Sequence, residues 1–293
     1  MRRLIKILSK FKILYLLKGY FKIRNKYYFI VKKKFYSAPS LRQAKILKGY
    51  VQKNKYYYQR EQGPNFFLER IINQNSVILD IGGNLGYSAL HYSRILESFG
   101  KGKCLSFEPV SSNFSDMVFN FGHLKNVMLF NFGISNEKED LIFGMPEFSD
   151  NTNEINTGLY TSKNINKHNV VEQCKVFRLD DFLYFFYKEP CSIDYIKIDI
   201  EGAELNALQG AQKLLVTQSP IIQIEYNKSA TDKEEFRNIV KYLKDLNYKP
   251  HKMTNSTFSE ENGYEVFFLK NNTLEYLSED RIFLNEFVAL IND

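Results

Sequence analysis

The sequence predicts an α/β protein built on a doubly wound, mostly parallel sheet and preceded by a basic N-terminal arm. Three observations predict it. Beyond about Glu61, short β-rich apolar runs alternate with helical stretches, the pattern of a parallel sheet covered on both faces. The first of those runs passes into its helix through the glycine-rich turn Gly82-Gly83-Asn84-Leu85-Gly86. The charge is also divided. Residues 1–60 hold 18 of the 40 Lys and Arg and none of the 33 Asp and Glu, so the remainder is net acidic.

The arm is assigned to residues 1–57 and a single domain to residues 58–293. Arg2, Arg3, Lys6 and Lys10 share one side at helical spacing, so the arm opens as an amphipathic helix. Its longest apolar run, Ile13–Leu17, is far too short to span a bilayer, and no signal peptide is evident. The cations of residues 1–30 suit peripheral contact with an anionic membrane, at about 1 kcal/mol each. Packing of the arm on its own domain is the alternative. Failure to bind anionic liposomes, or equal binding after removal of residues 1–30, would exclude an anchor.

In the domain, Val77–Ile81 reads as the first strand and Gly86–Ser98 as its helix. Lys103–Phe107 is the second strand, Ser111–Gly122 a helix, and Val127–Phe132 the third strand. Ile193–Ile200 is the fourth strand, followed by a helix from Glu204 to Leu215. Pro220–Tyr226 is the fifth, followed by a helix from Asp232 to Leu246, and Tyr264–Leu269 is a late strand. Right-handed crossovers make such an arrangement doubly wound and Rossmann-like. The polar, Asn-rich stretch from Ser135 to Val176 breaks the alternation, with weak strand signals near Asp140–Phe143 and Lys175–Leu179. It reads as an insertion over the ligand-binding end of the sheet.

Cys104, Cys174 and Cys191 are odd in number and lack metal-ligand spacing, which argues against a disulfide framework or a zinc cluster. Three free thiols and no export signal point to the cytoplasm, with the inner membrane face as the place for peripheral contact.

Three motifs carry chemistry. The first is Val77-Ile78-Leu79-Asp80-Ile81-Gly82-Gly83-Asn84-Leu85-Gly86-Tyr87. Glycines let the chain turn tightly and a ligand approach the backbone. The spacing is not the Gly-x-Gly-x-x-Gly of dinucleotide folds, and Asp80 beside the loop suits an ammonium group or a water network better than a phosphate. The second is Ser106-Phe107-Glu108-Pro109, where a carboxylate at a strand end can accept both hydroxyls of a ribose. The third is Asp194-Tyr195-Ile196-Lys197-Ile198-Asp199-Ile200-Glu201-Gly202-Ala203-Glu204. Strand alternation would put Lys197, Asp199 and Glu201 on one side, and charges inside a buried strand need pairing or a ligand.

These motifs, in this order, resemble the FkbM family of methyltransferases. The resemblance spans about Tyr58 to Leu246. It rests on the Asp80–Gly86 loop, Phe107-Glu108-Pro109, Arg178-Leu179-Asp180-Asp181-Phe182-Leu183, Ile196 to Glu204, and Ile224-Glu225. Gly83 stands where the family usually has Ala. The resemblance implies a class I methyltransferase fold, S-adenosylmethionine as donor, and O-methylation of a hydroxyl, often on sugars of glycolipids, polysaccharides or natural products.

The donor site is accordingly assigned to Asp80, Gly82, Gly83, Asn84, Gly86, Glu108 and Pro109. Asp199 is the first candidate for a general base, with Glu201 and Glu225 next, since a sugar hydroxyl is a poor nucleophile at neutral pH. His91 and His123 are weaker candidates, read as surface residues. A Mg²⁺ on Asp199, Glu201 and Glu204 stays open, although no complete ligand set is visible and no metal is assigned. The acceptor is expected to be a small molecule or glycan. Other readings are a nicotinamide-dependent oxidoreductase, a nucleic-acid methyltransferase using the basic aromatic arm, and a non-catalytic binding module. Nucleic acid is disfavoured by the acidic domain and by the absence of an Asn/Asp-Pro-Pro-Tyr/Phe signature.

Overall fold

The computed structural model describes residues 21–23, 26–31, 34–38, 68–69, 71–145, 170–187, 192–227, 230–253, 263–270 and 284–286. Contacts divide the chain near residue 61 into two compact units, each described by itself. In the first unit, β1 (Phe21–Ile23), β2 (Lys26–Val31) and β3 (Lys34–Ala38) form an antiparallel sheet in that order. The sequence Lys-Tyr-Tyr-Phe-Ile-Val of β2 is aromatic and β-branched, which favours strand. The described part of the arm is therefore strand rather than helix. The amphipathic opening lies outside the described residues.

The second unit holds an eight-stranded sheet. Its parallel part comprises β4 (Val77–Ile81), β5 (Lys103–Phe107), β6 (Val127–Phe130), β10 (Ile193–Ile198) and β11 (Ile221–Asn227). Three antiparallel strands complete it: β12 (Tyr248–Met253), β13 (Gly263–Lys270) and β14 (Leu284–Glu286). The order is β14-β12-β13-β11-β10-β4-β5-β6. From β4 the chain winds outward through β5 and β6, then returns to β10 on the other side. The strand order thus reverses between β4 and β10, and open α/β sheets bind ligands beyond the carboxyl ends at such a point.

Helices α1 (Tyr87–Phe99), α2 (Ser111–Phe121), α3 (Leu179–Phe186), α4 (Glu204–Gly210), α5 (Gln212–Thr217) and α6 (Ala230–Asp245) accompany these strands. The single helix expected from Glu204 to Leu215 is broken at Ala211 (φ −107°, ψ 10°) into α4 and α5. Just before the insertion lies β7 (Gly133–Ile134), and the insertion contributes β8 (Glu139–Met145) and most of β9 (Val170–Phe177), the three pairing in the order β7-β9-β8.

Alternation along the strands builds two apolar layers. Leu79, Ile81, Leu105, Phe107, Ile196, Ile198, Ile222 and Ile224 pack on one face. Ile78, Cys104, Tyr195, Ile221 and Phe267 pack on the other. The second face does not stay apolar up to its carboxyl edge, and there the site is built. Among the described residues, no helix is long and apolar enough to cross a membrane.

Candidate active site

One level of the sheet is polar. Ser106 on β5 lies opposite Asp80 on β4, Asp80 opposite Lys197 on β10, and Lys197 opposite Gln223 on β11. All four are buried. An uncompensated charge at this depth would be strongly destabilising, so the members of the row must have partners. The Ser106 hydroxyl donates to Asp80 Oδ2 at 2.6 Å. Lys197 Nζ donates to Asp199 Oδ2 at 2.7 Å. Gln223 accepts from the Tyr195 hydroxyl and donates through Nε2 to Glu265 Oε2 at 2.7 Å. Burial alone would lower the Lys197 pKa. The carboxylates of Asp199, Asp80 and Glu265 outweigh it, and the ammonium holds its proton more tightly than an ordinary lysine. Burial pushes the Asp80 carboxyl up, opposed by Lys197 and the Ser106 hydroxyl.

The next level toward the carboxyl edge carries Glu108, Gly82, Asp199 and Glu225, each two residues beyond a member of the polar row. The glycine loop is fixed to its neighbours by backbone bonds. Gly82 and Gly83 N–H both donate to Phe107 O (3.0 and 2.9 Å), and Gly86 N–H donates to Gly83 O (2.8 Å). Asn84, at φ 48°, donates its N–H to Glu108 Oε2 at 2.8 Å. Val110 N–H donates to Glu108 Oε1 at 2.9 Å. Glu108 therefore ties the loop to the start of α2, and each of its oxygens keeps acceptor capacity for a further hydroxyl. Burial raises its pKa to about 7, with the N–H groups of Val110 and Asn84 holding the rise back. β6 ends at Phe130 rather than Phe132, and Asn131 just beyond it donates from Nδ2 to Glu108 O and Pro109 O, at 2.9 and 3.1 Å.

This bonding pattern decides between ligands. The N–H groups of Gly82, Gly83, Asn84 and Gly86 are committed within the protein, so this part of the loop offers no amide cradle for a pyrophosphate. What the site presents is a carboxylate for a diol, the buried Asn84 Oδ1 without a hydrogen-bond partner, and the buried Asp80 Oδ1, also without one. Acceptors of this kind fit the ribose and cationic head of S-adenosylmethionine, and they weigh against the dinucleotide reading.

The strand expected to run to Ile200 ends at Ile198. Glu201 takes φ 56° and Gly202 φ 99°, a left-handed turn that leads the chain away from the sheet. Glu201 is consequently exposed, and the alternation that would align it with Lys197 and Asp199 is lost. Glu204 is buried and accepts the N–H groups of Ile200 (3.2 Å) and Gly202 (3.1 Å), closing this turn. Its carboxylate is thus engaged by its own loop. Among the described residues, no three His, Cys, Asp or Glu side chains group to hold a metal ion. Glu225 is half-buried, with Glu265 as its direct register partner across the antiparallel pair β11–β13.

His91 is half-buried, and burial first, with Arg94 second, lowers its pKa to about 4. Asp180 caps α5, accepting from Lys213 and Leu214 N–H at 2.8 and 3.0 Å. On the opposite sheet face, where Phe132 packs on Phe107, a cavity of about 290 Å³ is lined by Phe132, Phe177, Phe182 and Phe185 with Lys138, Arg178 and Asp181. Sequence reasoning missed Ser106 and Gln223. Each is a polar residue inside an otherwise apolar strand, and that was the available signal.

A doubly wound sheet whose strand order reverses beside a glycine-rich carboxyl edge is the arrangement of class I methyltransferases, the class whose donor is S-adenosylmethionine. The family model described as the methyltransferase FkbM domain matches residues 80–250, and the chain belongs to that family. Among solved structures, the chain is similar to the methyltransferase FkbM from Methylobacillus flagellatus KT. That match has 14% identity and a TM-score of 0.47, and it covers 78% of this chain but only 55% of the other. Fibrillarin from Aeropyrum pernix, in complex with natively bound S-adenosyl-L-methionine, matches at 9% identity and a TM-score of 0.44, covering 85% of this chain and 84% of that one. The O-methyltransferase TomG from Streptomyces achromogenes matches at 12% identity and a TM-score of 0.41, covering 78% and 88% respectively. A search of curated proteins returned no match.

Proposed function

We propose that this methyltransferase O-methylates a hydroxyl of a sugar in a glycan, glycolipid or related metabolite, with Asp199 as general base. The observation that carries this reading is the setting of Asp199. It follows β10 at the point where strand order reverses, its Oδ2 is held by Lys197, and its side chain is 32% exposed. One oxygen is therefore anchored while the group as a whole remains accessible, as a base must be.

When bound, the donor would supply an electrophilic sulfonium methyl carbon, open to in-line attack by the acceptor oxygen with the neutral thioether as leaving group. Glu108 would accept the ribose hydroxyls, and Asn84 Oδ1, backed by the buried Asp80, would take the cationic head. Asp199 takes the proton released by the acceptor hydroxyl. Glu225 and Glu201 border the acceptor, Glu225 from the sheet and Glu201 from the exposed turn. Positioning of this kind supplies much of the rate. The cations of residues 1–30 bring the enzyme to an anionic surface when the acceptor is lipid-linked.

The test is incubation of the full chain and donor with a panel of methyl glycosides, reading S-adenosylhomocysteine release and new O-methyl resonances. Release with sugars supports the reading. Transfer only to non-sugar hydroxyls or to RNA, offered in parallel, would reassign the acceptor.

A further inference from the structure

Three glycines form the loop, for different reasons. Gly82 and Gly86 have φ of 93° and 86°. A side chain on Gly82 would also lie 2.0 Å from Asp199 O, and one on Gly86 would lie 2.5 Å from the Phe121 ring. Backbone and neighbours both demand glycine at these two positions. Gly83 has no such backbone constraint. A Cβ there would meet Ser106 Oγ at 2.3 Å, with Met117 Sδ at 3.1 Å and Asp80 Oδ2 at 3.5 Å. The chief obstacle to alanine is one hydroxyl. That hydroxyl is fully buried, donates to Asp80 Oδ2 at 2.6 Å and approaches Met117 Sδ at 3.7 Å. Asp80 is itself fully buried, and its Oδ1 has no hydrogen-bond partner.

We propose that Ser106 is a positioning residue of the donor site, its hydroxyl filling the space beneath Gly83 and fixing the Asp80 carboxylate under the loop, so that Gly83 and Ser106 form a compensating pair. The inference rests on the donor reading of this loop. A hydroxyl takes the place of a methyl, keeps the packing, and adds a hydrogen bond to a charged group. Without it, a buried carboxylate loses a donor and is free to turn toward Lys197.

The test is a four-member cycle on the full chain: wild type, Ser106→Ala, Gly83→Ala and Gly83→Ala/Ser106→Ala. S-adenosylmethionine and S-adenosylhomocysteine affinities are read by calorimetry well below the melting temperature, with the melting temperature itself read alongside. Ser106→Ala is expected to weaken the donor about tenfold or more, the loss of a charged hydrogen bond. Gly83→Ala should weaken it further. The double variant should bind better than Gly83→Ala alone, because the methyl then has room. Ser106→Cys keeps the bulk with a poorer donor and should fall between wild type and Ser106→Ala. Independent, multiplicative effects would overturn the pairing. A lower melting temperature with donor affinity unchanged within about twofold would leave Ser106 merely structural and overturn the positioning role. A wild type that binds neither ligand would remove the donor reading, and this inference with it.

Discussion

The two halves of the site, on either side of the β4–β10 junction, are built from different materials. On the β4–β5 side the loop is held by backbone. The N–H groups of Gly82, Gly83, Asn84 and Gly86 are spent on Phe107 O, Glu108 and Gly83 O, and a side chain on any of the three glycines would meet a neighbour. On the β10–β11 side the proposed chemistry rests on side chains. Asp199 is anchored at one oxygen, Glu201 is exposed on a left-handed turn, and Glu225 lies opposite Glu265. A loop held by main chain resists substitution and keeps the shape that sets Glu108 and Asn84 in place. On the proposed reading, side chains on the other half can be recut for different acceptors while the first half stays intact.

The sharpest separation of the halves is Asp199→Asn. It should lower turnover by about 10²–10⁴-fold, the usual worth of a general base, while donor affinity stays within about threefold. Calorimetry and steady-state kinetics on the same preparation check it, and turnover that survives moves the base elsewhere. Gly82→Ala attacks the place where the halves touch, since the new methyl would sit 2.0 Å from Asp199 O at a φ of 93°. We expect a loss of about 2–4 kcal/mol in denaturant unfolding, from backbone strain and a clash that no rotamer relieves. A stability within about 0.5 kcal/mol of wild type would mean the two halves are not rigidly joined.

The smallest effect is set by pH and belongs to the donor half alone. Glu108 titrates at about 7 in the free protein because it is buried. A ribose and a cationic ligand favour its ionised form. Donor affinity should therefore rise with pH up to about 7, by at most about tenfold per pH unit, and level off above it. The stability of the ligand-free protein should run the other way. A carboxyl whose folded pKa lies above its usual value contributes most in acid, and that contribution is lost as pH rises through about 7. Glu108→Gln should flatten both profiles. If the affinity profile keeps its slope in that variant, another group is responsible.

The contrast also explains what the sequence made legible. Val77–Ile81 and Lys103–Phe107 were expected as strands over the ranges observed, because short, mainly apolar runs flanked by a glycine loop and by Glu108-Pro109 leave little freedom. Residues 248–253 gave no signal: Lys249, Pro250, His251 and Lys252 hide the strand, which is created by pairing with β13 and β14. Glu201 was misplaced because alternation presumes that the strand continues, whereas the turn at Glu201 and Gly202 ends it. Ser106 and Gln223 look like tolerated polar residues until the register sets them beside Asp80 and Lys197. The donor half was readable as a motif because backbone geometry restricts residue type. The acceptor half depends on cross-strand neighbours that a linear reading does not supply.

Lys197 has a use outside catalysis. Amine-reactive reagents need an accessible, unprotonated nitrogen, and this one is 9% exposed and holds its proton strongly. Acylation of Lys197, followed by peptide mass mapping, would occur only when the centre of the sheet opens, so the residue serves as an internal clock for global unfolding that needs no engineered label.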